Sequence, residues 1–447
     1  MQVSKSLANV ILFSCIIVSS SMTSFAAEWD IIHAGKLLAI PGQKVTTNQS
    51  IVLKDGKVFD VKDGFIDKSR LPIGDDDPIE IHNLRDKFVL PGFIDGHVHL
   101  TLYFTQNERI NWVNMSDADV AIRGAKFAEE TLMAGFTSVR DMGSFTEDAI
   151  FAIRDGINQG YIVGPRTFVA GNPIAINGGH GDITHSFNPA VAKAMRTSGI
   201  CDGAAECRKA VREQIRLKAD HIKLTATAGV LSDSNAGLEL QFFEDELEAI
   251  VKSAHLMGRK VAAHAHGPEG INAVLRAGAN TIEHGTFLND ESIRLFKESG
   301  AYLSPTMSAF LPLMPLVEDD NSYLTGSQRE KAKKAITYFN QYVRKAHEAG
   351  VNIALSTDAG VGRHGANGIE FRLLVEHGGM TPMEAIEAGT INGADNLGEL
   401  DELGSLEKGK WGDLVAVEGN PLEDISILEN ISFVMKGGVV YKGNPEQ

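Results

Sequence analysis

The stretch Phe88-Val89-Leu90-Pro91-Gly92-Phe93-Ile94-Asp95-Gly96-His97-Val98-His99 joins an apolar run to two histidines that are two positions apart. Its segment from Val89 to His97 predicts a β-strand, because short apolar runs bounded by turn residues are typical of buried strands. Side chains two positions apart lie on the same face of a strand, so His97 and His99 can bind one cation. Such a pair is frequent by chance, and its position at the carboxyl end of an apolar strand is what favours a ligand pair.

Seven further apolar runs follow this strand at regular intervals. They are 136–140, 167–170, 221–225, 261–264, 280–283, 302–304 and 352–356. Stretches with helical spacing, such as 204–218 and 244–257, separate them. Strands that alternate with helices indicate βα units and a parallel sheet. Eight such strands favour an α/β protein with a closed (β/α)8 TIM barrel, whose functional side chains lie at the carboxyl ends of the strands.

The two ends of the chain show a different pattern, with short strands around tight turns. Asp55-Gly56 separates two apolar runs near the N-terminus, and Gly437-Gly438 separates two near the C-terminus. Neither end is long enough to bury a good core alone, so we expect them to form one small β domain together. We therefore predict a β-sandwich domain from residues 27–88 and 400–447, and a barrel domain from residues 89–399.

Residues 1–26 have the pattern of a secretory signal peptide. Lys5 supplies the positive charge, Leu7 to Val18 the apolar core, and Ser24-Phe25-Ala26 a small-x-small cleavage site. We expect an exported protein, periplasmic or secreted, with no transmembrane segment, because the apolar core is too short to span a membrane. Lipid anchoring at Cys15 is the alternative, although Phe13 fits a lipoprotein motif poorly.

Two cysteines, Cys201 and Cys207, lie close together in a polar connection that contains Gly203. Export permits disulfides, so a bond between them is one interpretation. Two free thiols are the other, since a spacing of six residues does not determine the geometry.

Composition limits the kinds of partner. The 447 residues include 42 Lys and Arg against 58 Asp and Glu, which gives a net charge of −16. The sequence has no run of basic residues that could bind successive phosphates of a nucleic acid. We therefore expect a small-molecule substrate and no nucleic acid, and we leave a homo-oligomer open. Twelve of the 14 histidines fall between Pro91 and Asn396, which places the chemistry in the predicted barrel.

Lys223 lies among apolar neighbours in the fourth predicted strand. A lysine in such a strand often extends its amine to solvent. If the strand belongs to the barrel wall, burial lowers the amine pKa and favours the neutral form, which can add carbon dioxide. The resulting carbamate is a carboxylate that can bridge two divalent metal ions.

Three later strands also end in candidate ligands. The fifth contains His264 and His266, the sixth ends in His284, and the eighth leads to Asp358. Each alone has an ordinary interpretation, such as a core histidine or a helix N-cap. Together with His97, His99 and Lys223 they would converge at one end of the barrel, and imidazole ligands suit zinc.

The sequence resembles the amidohydrolase superfamily, and within it the prolidase-like enzymes that hydrolyse dipeptides and N-acyl amino acids. The matching stretches are 90–100, 135–141, 222–229, 261–267, 282–285, 356–360 and 404–417. The Asn177-Gly178-Gly179-His180-Gly181 loop, Gly229-Val230-Leu231-Ser232 and His364 before Gly365 support the subgroup. Gly412-Asp413-Leu414 departs from the Ala-Asp-Leu that the family often has, which bears on packing alone.

The resemblance implies a role for each ligand. His97 and His99 would bind one metal, His264 and His284 the other, and Lys223, as N6-carboxylysine, would bridge them. Asp358 would bind the first metal and act as the catalytic proton shuttle, while His266 competes with His264 as ligand. The cofactors implied are two divalent metal ions, zinc in the first instance, and carbon dioxide held as the lysine carbamate.

Substrate contacts are less well defined by the sequence. The candidates for binding a substrate carboxylate are His180, His185, His266, His364, Arg140 and Arg363. A structural role stays open for each, and Arg140 in particular can pair with a carboxylate of the barrel.

The expected reaction is metal-dependent hydrolysis of an amide bond by a metal-bridging hydroxide, with release of the C-terminal amino acid. Proline, basic and aromatic C-terminal residues all stay open as substrates. The alternatives are a cyclic-amide hydrolase related to imidazolonepropionase and a barrel that only binds a ligand; export argues against the first, and the complete ligand set argues against the second.

Overall fold

A computed structural model describes residues 27–74, 77–185, 187–232 and 237–443. The predicted signal peptide, with Cys15, lies outside the described residues. Within them the strands are β1 Trp29–Leu37, β2 Thr46–Lys54, β3 Lys57–Asp63, β4 Ile79–Pro91, β5 Phe93–Val98, β6 Phe136–Asp141, β7 Arg166–Val169, β8 Ile222–Thr225, β9 Val261–Ala265, β10 Thr281–His284, β11 Tyr302–Ser304, β12 Asn352–Ile353, β13 Leu414–Val417, β14 Phe433–Lys436 and β15 Val439–Lys442.

The α-helices of the described residues cover the outside of the barrel and its loops. They are α1 Glu108–Asn114, α2 Asp117–Met133, α3 Ala149–Asn158, α4 Pro189–Met195, α5 Ala204–Arg216, α6 Glu244–Leu256, α7 Pro268–Ala277, α8 Asp290–Ser299, α9 Leu313–Glu318, α10 Gly326–Ile336, α11 Tyr342–Glu348, α12 Ile369–Glu376, α13 Pro382–Ala388 and α14 Ile391–Leu397. None of these helices is both long enough and apolar enough to cross a membrane.

Strands from both ends of the described chain form one sheet. Its order is β15-β14-β13-β4-β1-β2-β3, with β1 and β4 parallel and the remaining neighbours antiparallel. The sequence predicts a small β-sandwich domain from the two ends of the chain, and the strand pairing joins its strands in one seven-stranded sheet. β4 pairs edge to edge with β13, so backbone hydrogen bonds connect the strands from the two ends of the chain. Leu53 and Val58 from one end share a core with Phe433 and Met435 from the other.

This sheet contributes to two cores because side chains alternate along its strands. Phe88 and Leu90 on β4 pack into the large core that the barrel and its helices share. Val89, between them, packs with Leu414 and Ala416 in a separate core on the other face. The small domain is therefore attached to the barrel by buried apolar side chains.

Strands β5 to β12 are parallel and pair as a three-stranded and a five-stranded sheet. The edges of these two sheets meet at two seams. Isolated parallel β-bridges connect them there, Val98 with Ala359 at the first seam and Ile174 with Leu224 at the second. The Gly96 N–H donates to the Leu355 carbonyl at 2.9 Å at the first seam, and the Ile174 N–H donates to the Lys223 carbonyl at 2.8 Å at the second. The eight strands consequently enclose a common interior.

The first predicted strand is divided in the structure. β4 ends at Pro91 in the small sheet, and β5 begins at Phe93 in the barrel. Gly92, between them, donates to the Asp413 carbonyl at 2.8 Å, and a Cβ atom there would lie 2.2 Å from Oγ1 of Thr137. The chain passes from one sheet to the other at Gly92. Thr137 leaves no room for a side chain there, so the position requires glycine.

Candidate metal centre and active site

The candidate ligands lie at the carboxyl ends of barrel strands, where the sequence predicts them. His97 is on β5 and His99 follows it, while Asp358 lies beyond β12. The Nε2 atoms of the two histidines are 3.4 Å apart, and each is 3.4 Å from Oδ1 of Asp358. These three residues form the first ligand group.

The other ring nitrogen of each histidine is held by an acceptor. His97 Nδ1 lies 2.8 Å from Oε2 of Glu283, and His99 Nδ1 lies 2.9 Å from the Gly143 carbonyl. A proton on each Nδ1 leaves a lone pair on each Nε2, and these lone pairs face the Asp358 carboxylate. Oδ1 of Asp358 is buried without a hydrogen-bond partner. Three acceptor atoms facing one another repel unless a cation lies between them, so this donor set fits a divalent metal ion.

His264, His266 and His284 form the second ligand group. The ring centroids of His264 and His284 are 4.6 Å apart, and those of His97 and His284 are 5.2 Å apart, which places the two groups side by side. His284 Nδ1 lies 2.7 Å from Oγ1 of Thr306. Since the structure brings both His264 and His266 into the group, the two remain alternatives as ligands.

Lys223 on β8 lines the same cavity as both groups and is 4% exposed. Burial lowers its pKa, while the neighbouring Glu283 carboxylate acts in the opposite direction. A lower pKa increases the neutral fraction of the amine, which is the form that adds carbon dioxide. The position and protonation of Lys223 are thus suited to a bridging carbamate.

Burial also keeps the histidines of the site neutral. It lowers the pKa of His97 and His284 well below the ordinary value, and that of His99 to about 4. A neutral imidazole has the lone pair that a metal requires. Burial has the opposite effect on Asp358 and raises the pKa of its carboxyl group.

Several backbone angles at the site are unfavourable for residues other than glycine. His284 has φ of 70°, Thr306 of 51° and Asp358 of 58°. Each such residue costs roughly 1–3 kcal/mol, and such residues cluster at functional sites where the surrounding structure maintains them. His284 leaves its strand at this angle, so that its side chain lines the cavity beside that of Lys223.

A cavity of about 220 Å³ opens next to the ligands. His180, His185 and His266, three of the predicted substrate contacts, line it. The ring of His180 lies 4.2 Å from that of His264, centroid to centroid. These three histidines are the substrate candidates that the structure brings to the site.

Arg140, Arg363 and His364 do not line this cavity, in contrast to the sequence-based expectation. Arg140 is buried within the barrel, where Nη2 donates to Oε1 of Glu283 at 3.0 Å. His364 stacks on Phe127 and its Nε2 lies 2.9 Å from the Leu102 carbonyl. Arg363 is exposed. For Arg140 and His364 the structure favours structural roles, because their contacts hold them away from the cavity.

Two residues of the site were not predicted from the sequence. Glu283 orients His97, and Arg109 lines the cavity from helix α1. Glu283 directly precedes the predicted ligand His284. Because side chains alternate along a strand, the sequence pattern assigns Glu283 to the face opposite the ligand and gives no reason to select it. Arg109 lies outside every predicted strand end, so no sequence signal distinguishes it from a surface arginine.

Cys201 and Cys207 are bonded in a disulfide, with their Cα atoms 5.0 Å apart. The Cys201 N–H donates to the Ala175 carbonyl at 2.9 Å. The disulfide joins the two ends of segment 201–207. Through the hydrogen bond of Cys201, this segment contacts Ala175, which precedes the loop that leads to His180.

Comparison with known proteins places this fold and site in a family. The model of the amidohydrolase family matches residues 88–443. An ochratoxinase from Aspergillus niger is 32% identical over 445 residues, covering 93% of this chain and 87% of the relative. The chain belongs to the amidohydrolase family, and it is a hydrolase.

Solved structures extend the similarity to the whole described fold. A Xaa-Pro dipeptidase with methionine in its active site has a TM-score of 0.86 and 39% identity, covering 93% of this chain and 100% of that chain. A prolidase in complex with N-methylphosphonate-L-proline has a TM-score of 0.81 and 28% identity, covering 93% and 99%. The predicted barrel with a second domain and the resemblance to prolidase-like amidohydrolases are thereby confirmed.

Proposed function

We propose that the protein hydrolyses the amide bond of dipeptides or N-acyl amino acids and releases the C-terminal amino acid, with two zinc ions as cofactors. The observation that carries this proposal is the pair of ligand groups beside the buried Lys223 at one end of the barrel. The similarity to a dipeptidase and a prolidase supports the choice of bond. Methionine bound in the active site of the first relative supports an amino acid as the product.

His97, His99 and Asp358 would hold one metal, and His264 and His284 the other, with the carbamate of Lys223 between them. Nε2 of His264 lies 3.4 Å from the Ala228 carbonyl, an acceptor. A proton on Nε2 leaves the lone pair on Nδ1 for a metal. His266 also keeps a lone pair, on Nε2, because its Nδ1 lies 2.9 Å from Oγ1 of Thr286, so His266 remains the alternative ligand.

Two bound divalent ions would lower the pKa of a water molecule and polarise the scissile carbonyl. The protein itself must then move one proton from the water to the leaving amine. Asp358 performs this step, because Oδ1 of its carboxylate lies 3.4 Å from Nε2 of both His97 and His99, next to the metal centre. A serine or cysteine nucleophile is not required.

We also propose that the protein is exported to the periplasm or secreted. The signal-like pattern of residues 1–26 and the disulfide between Cys201 and Cys207 support this location. Mass analysis of the exported protein should find a mature chain that begins near Ala27.

The test combines metal analysis with a substrate panel. Protein expressed with zinc and bicarbonate should contain about two metal ions per chain and hydrolyse dipeptides. A folded, metal-free protein that hydrolyses no dipeptide after zinc and bicarbonate are added would contradict the proposal. Turnover of imidazolonepropionate without turnover of any dipeptide would favour cyclic-amide hydrolysis instead.

A variant of Lys223 tests its proposed role as the bridge between the two metals. Lys223→Ala should abolish loading with two metals, whereas the exposed Lys297→Ala should keep the metal content of the wild type. Unchanged metal content in Lys223→Ala would show that the lysine has no part in metal binding.

A further inference from the structure

The cavity beside the ligands has an uneven distribution of charge. Among its lining residues in the described part of the chain, the lysine and arginine side chains are Lys223 and Arg109, and the carboxylates are Asp182 and Asp358. Lys223 and Asp358 belong to the ligand groups. Arg109 is therefore the lining cation that lies outside the proposed metal centre.

Arg109 is held in place by the loop that follows His180. Nη2 donates to the His185 carbonyl at 2.9 Å, and the guanidinium lies over the ring of Phe187 at 5.1 Å from its centroid. The residue is half-buried near the start of α1. A guanidinium positioned in advance loses little freedom on binding and matches a carboxylate with two parallel hydrogen bonds.

The wall of the cavity is largely aromatic and aliphatic. Phe104, Trp112, Phe145 and Phe310 all line it. Aromatic side chains bury large areas and pack against other apolar groups with favourable geometry. A large apolar side chain of the substrate would be well accommodated by this wall.

Outside the ligand groups, the described lining offers a basic side chain one carboxylate, that of Asp182. Asp182 already accepts hydrogen bonds from the Gly178 N–H at 2.8 Å, from the Thr184 N–H at 3.0 Å and from the Thr184 hydroxyl at 2.5 Å. It therefore stabilises its own loop. A substrate ammonium group buried against the aromatic wall would lose its hydration, and contact with the aromatic rings would compensate only part of that loss.

We infer, on the basis of the proposed function, that the residue released from the substrate is large and apolar and that Arg109 binds its free carboxylate. Aromatic and long aliphatic C-terminal residues are thus preferred over basic ones. Arg109 acts in this reaction as a substrate-binding and specificity-determining residue.

Three substrates test the chemical class: Ala-Phe, Ala-Lys and the capped Ala-Phe amide. The metal-loaded, full-length enzyme should hydrolyse the Ala-Phe bond with kcat/KM about 10-fold or more above that for Ala-Lys, because burial of an apolar side chain contributes to binding. The bond in Ala-Phe amide should be cleaved at least about 10-fold less efficiently, because it lacks the charge that pairs with Arg109.

Substitution of Arg109 separates a binding role from a structural one. Arg109→Gln should raise KM for Ala-Phe about 10- to 100-fold and leave cleavage of Ala-Phe amide nearly unchanged, so that the preference for the free acid disappears. Arg109→Lys should recover part of that preference. Arg294→Gln, an exposed arginine on α8, is the matched control and should behave like the wild type.

The outcomes distinguish the inference from the proposed function. If the wild type cleaves no dipeptide and no N-acyl amino acid, the proposed function fails. If it cleaves dipeptides but prefers Ala-Lys, or if Arg109→Gln slows the acid and the amide equally, the inference is overturned while the proposed function stands.

Discussion

Nδ1 of His97 lies 2.8 Å from Oε2 of Glu283, and the other oxygen of that carboxylate accepts a hydrogen bond from Arg140 at 3.0 Å. All three side chains are buried. Glu283 thereby determines which nitrogen of His97 carries the proton and which one faces the cavity. Outer partners of this kind fix the tautomer and the orientation of a ligating histidine and raise its basicity.

We expect Glu283→Gln to weaken metal binding or activity about 10- to 100-fold. A glutamine oxygen can accept from only one of His97 and Arg140, and its NH2 group would face the other donor. Metal affinity measured by competition with a chelator checks this expectation. Circular dichroism and thermal unfolding serve as the control for folding, and unchanged metal affinity in a folded variant would contradict the orienting role.

Asp358→Asn should lower kcat about 100- to 10,000-fold, because the amide cannot accept the proton that must reach the leaving amine. Steady-state kinetics on metal-loaded protein measure the effect, with metal content determined on the same sample. A variant that keeps two metals and wild-type kcat would exclude Asp358 as the proton carrier.

The ring of His180 occupies the space beside Gly229. A Cβ atom at position 229 would lie 2.4 Å from Cε1 and 2.7 Å from Nε2 of that ring. We expect Gly229→Ala to displace His180 and to lower kcat/KM about 10-fold or more. Gly326→Ala is the control, because a Cβ atom there meets nothing within 4 Å. Equal kinetics for the two variants would show that the position of His180 does not matter.

Glu370 makes stability depend on pH. Burial raises the pKa of its carboxyl group from 4.5 to about 8, against hydrogen bonds from the Met307 and Ser308 N–H groups. The folded protein binds this proton more tightly than the unfolded chain does. Its contribution to the free energy of unfolding is therefore greatest below pH 4.5 and decreases as the pH rises towards 8.

Glu370→Gln should flatten this part of the pH profile, because glutamine does not titrate. It should also lower stability at pH 5 by about 1 kcal/mol, since its NH2 group cannot accept one of the two backbone N–H groups. Urea unfolding between pH 5 and 8.5 measures both effects, with the exposed Glu248→Gln as control. A slope as steep as that of the wild type would assign the pH dependence to other groups.

The order of strands and the polar residues at their ends were predictable from the sequence. Short apolar runs alternate with helical segments, and the carboxyl ends of parallel strands meet at one end of a barrel. The sequence alone therefore predicts that His97, His99, Lys223, His284 and Asp358 lie together. Division of the first strand at Gly92 was not predictable, because it depends on contact with Thr137 of another strand.

Relations between residues far apart in the chain were decided only by the tertiary structure. The alternation of a strand directs Glu283 and His284 to opposite faces, yet Glu283 contacts His97 and His284 lines the cavity. The positive φ of His284 ends the alternation, and surrounding contacts such as the one between its ring and Thr306 maintain that angle. Sequence patterns of period 2 and 3.6 describe regular backbone, so they determine the elements and the class of ligands. The direction of a side chain at the irregular end of a strand depends on packing, and so do the positions of Arg109 and Arg140.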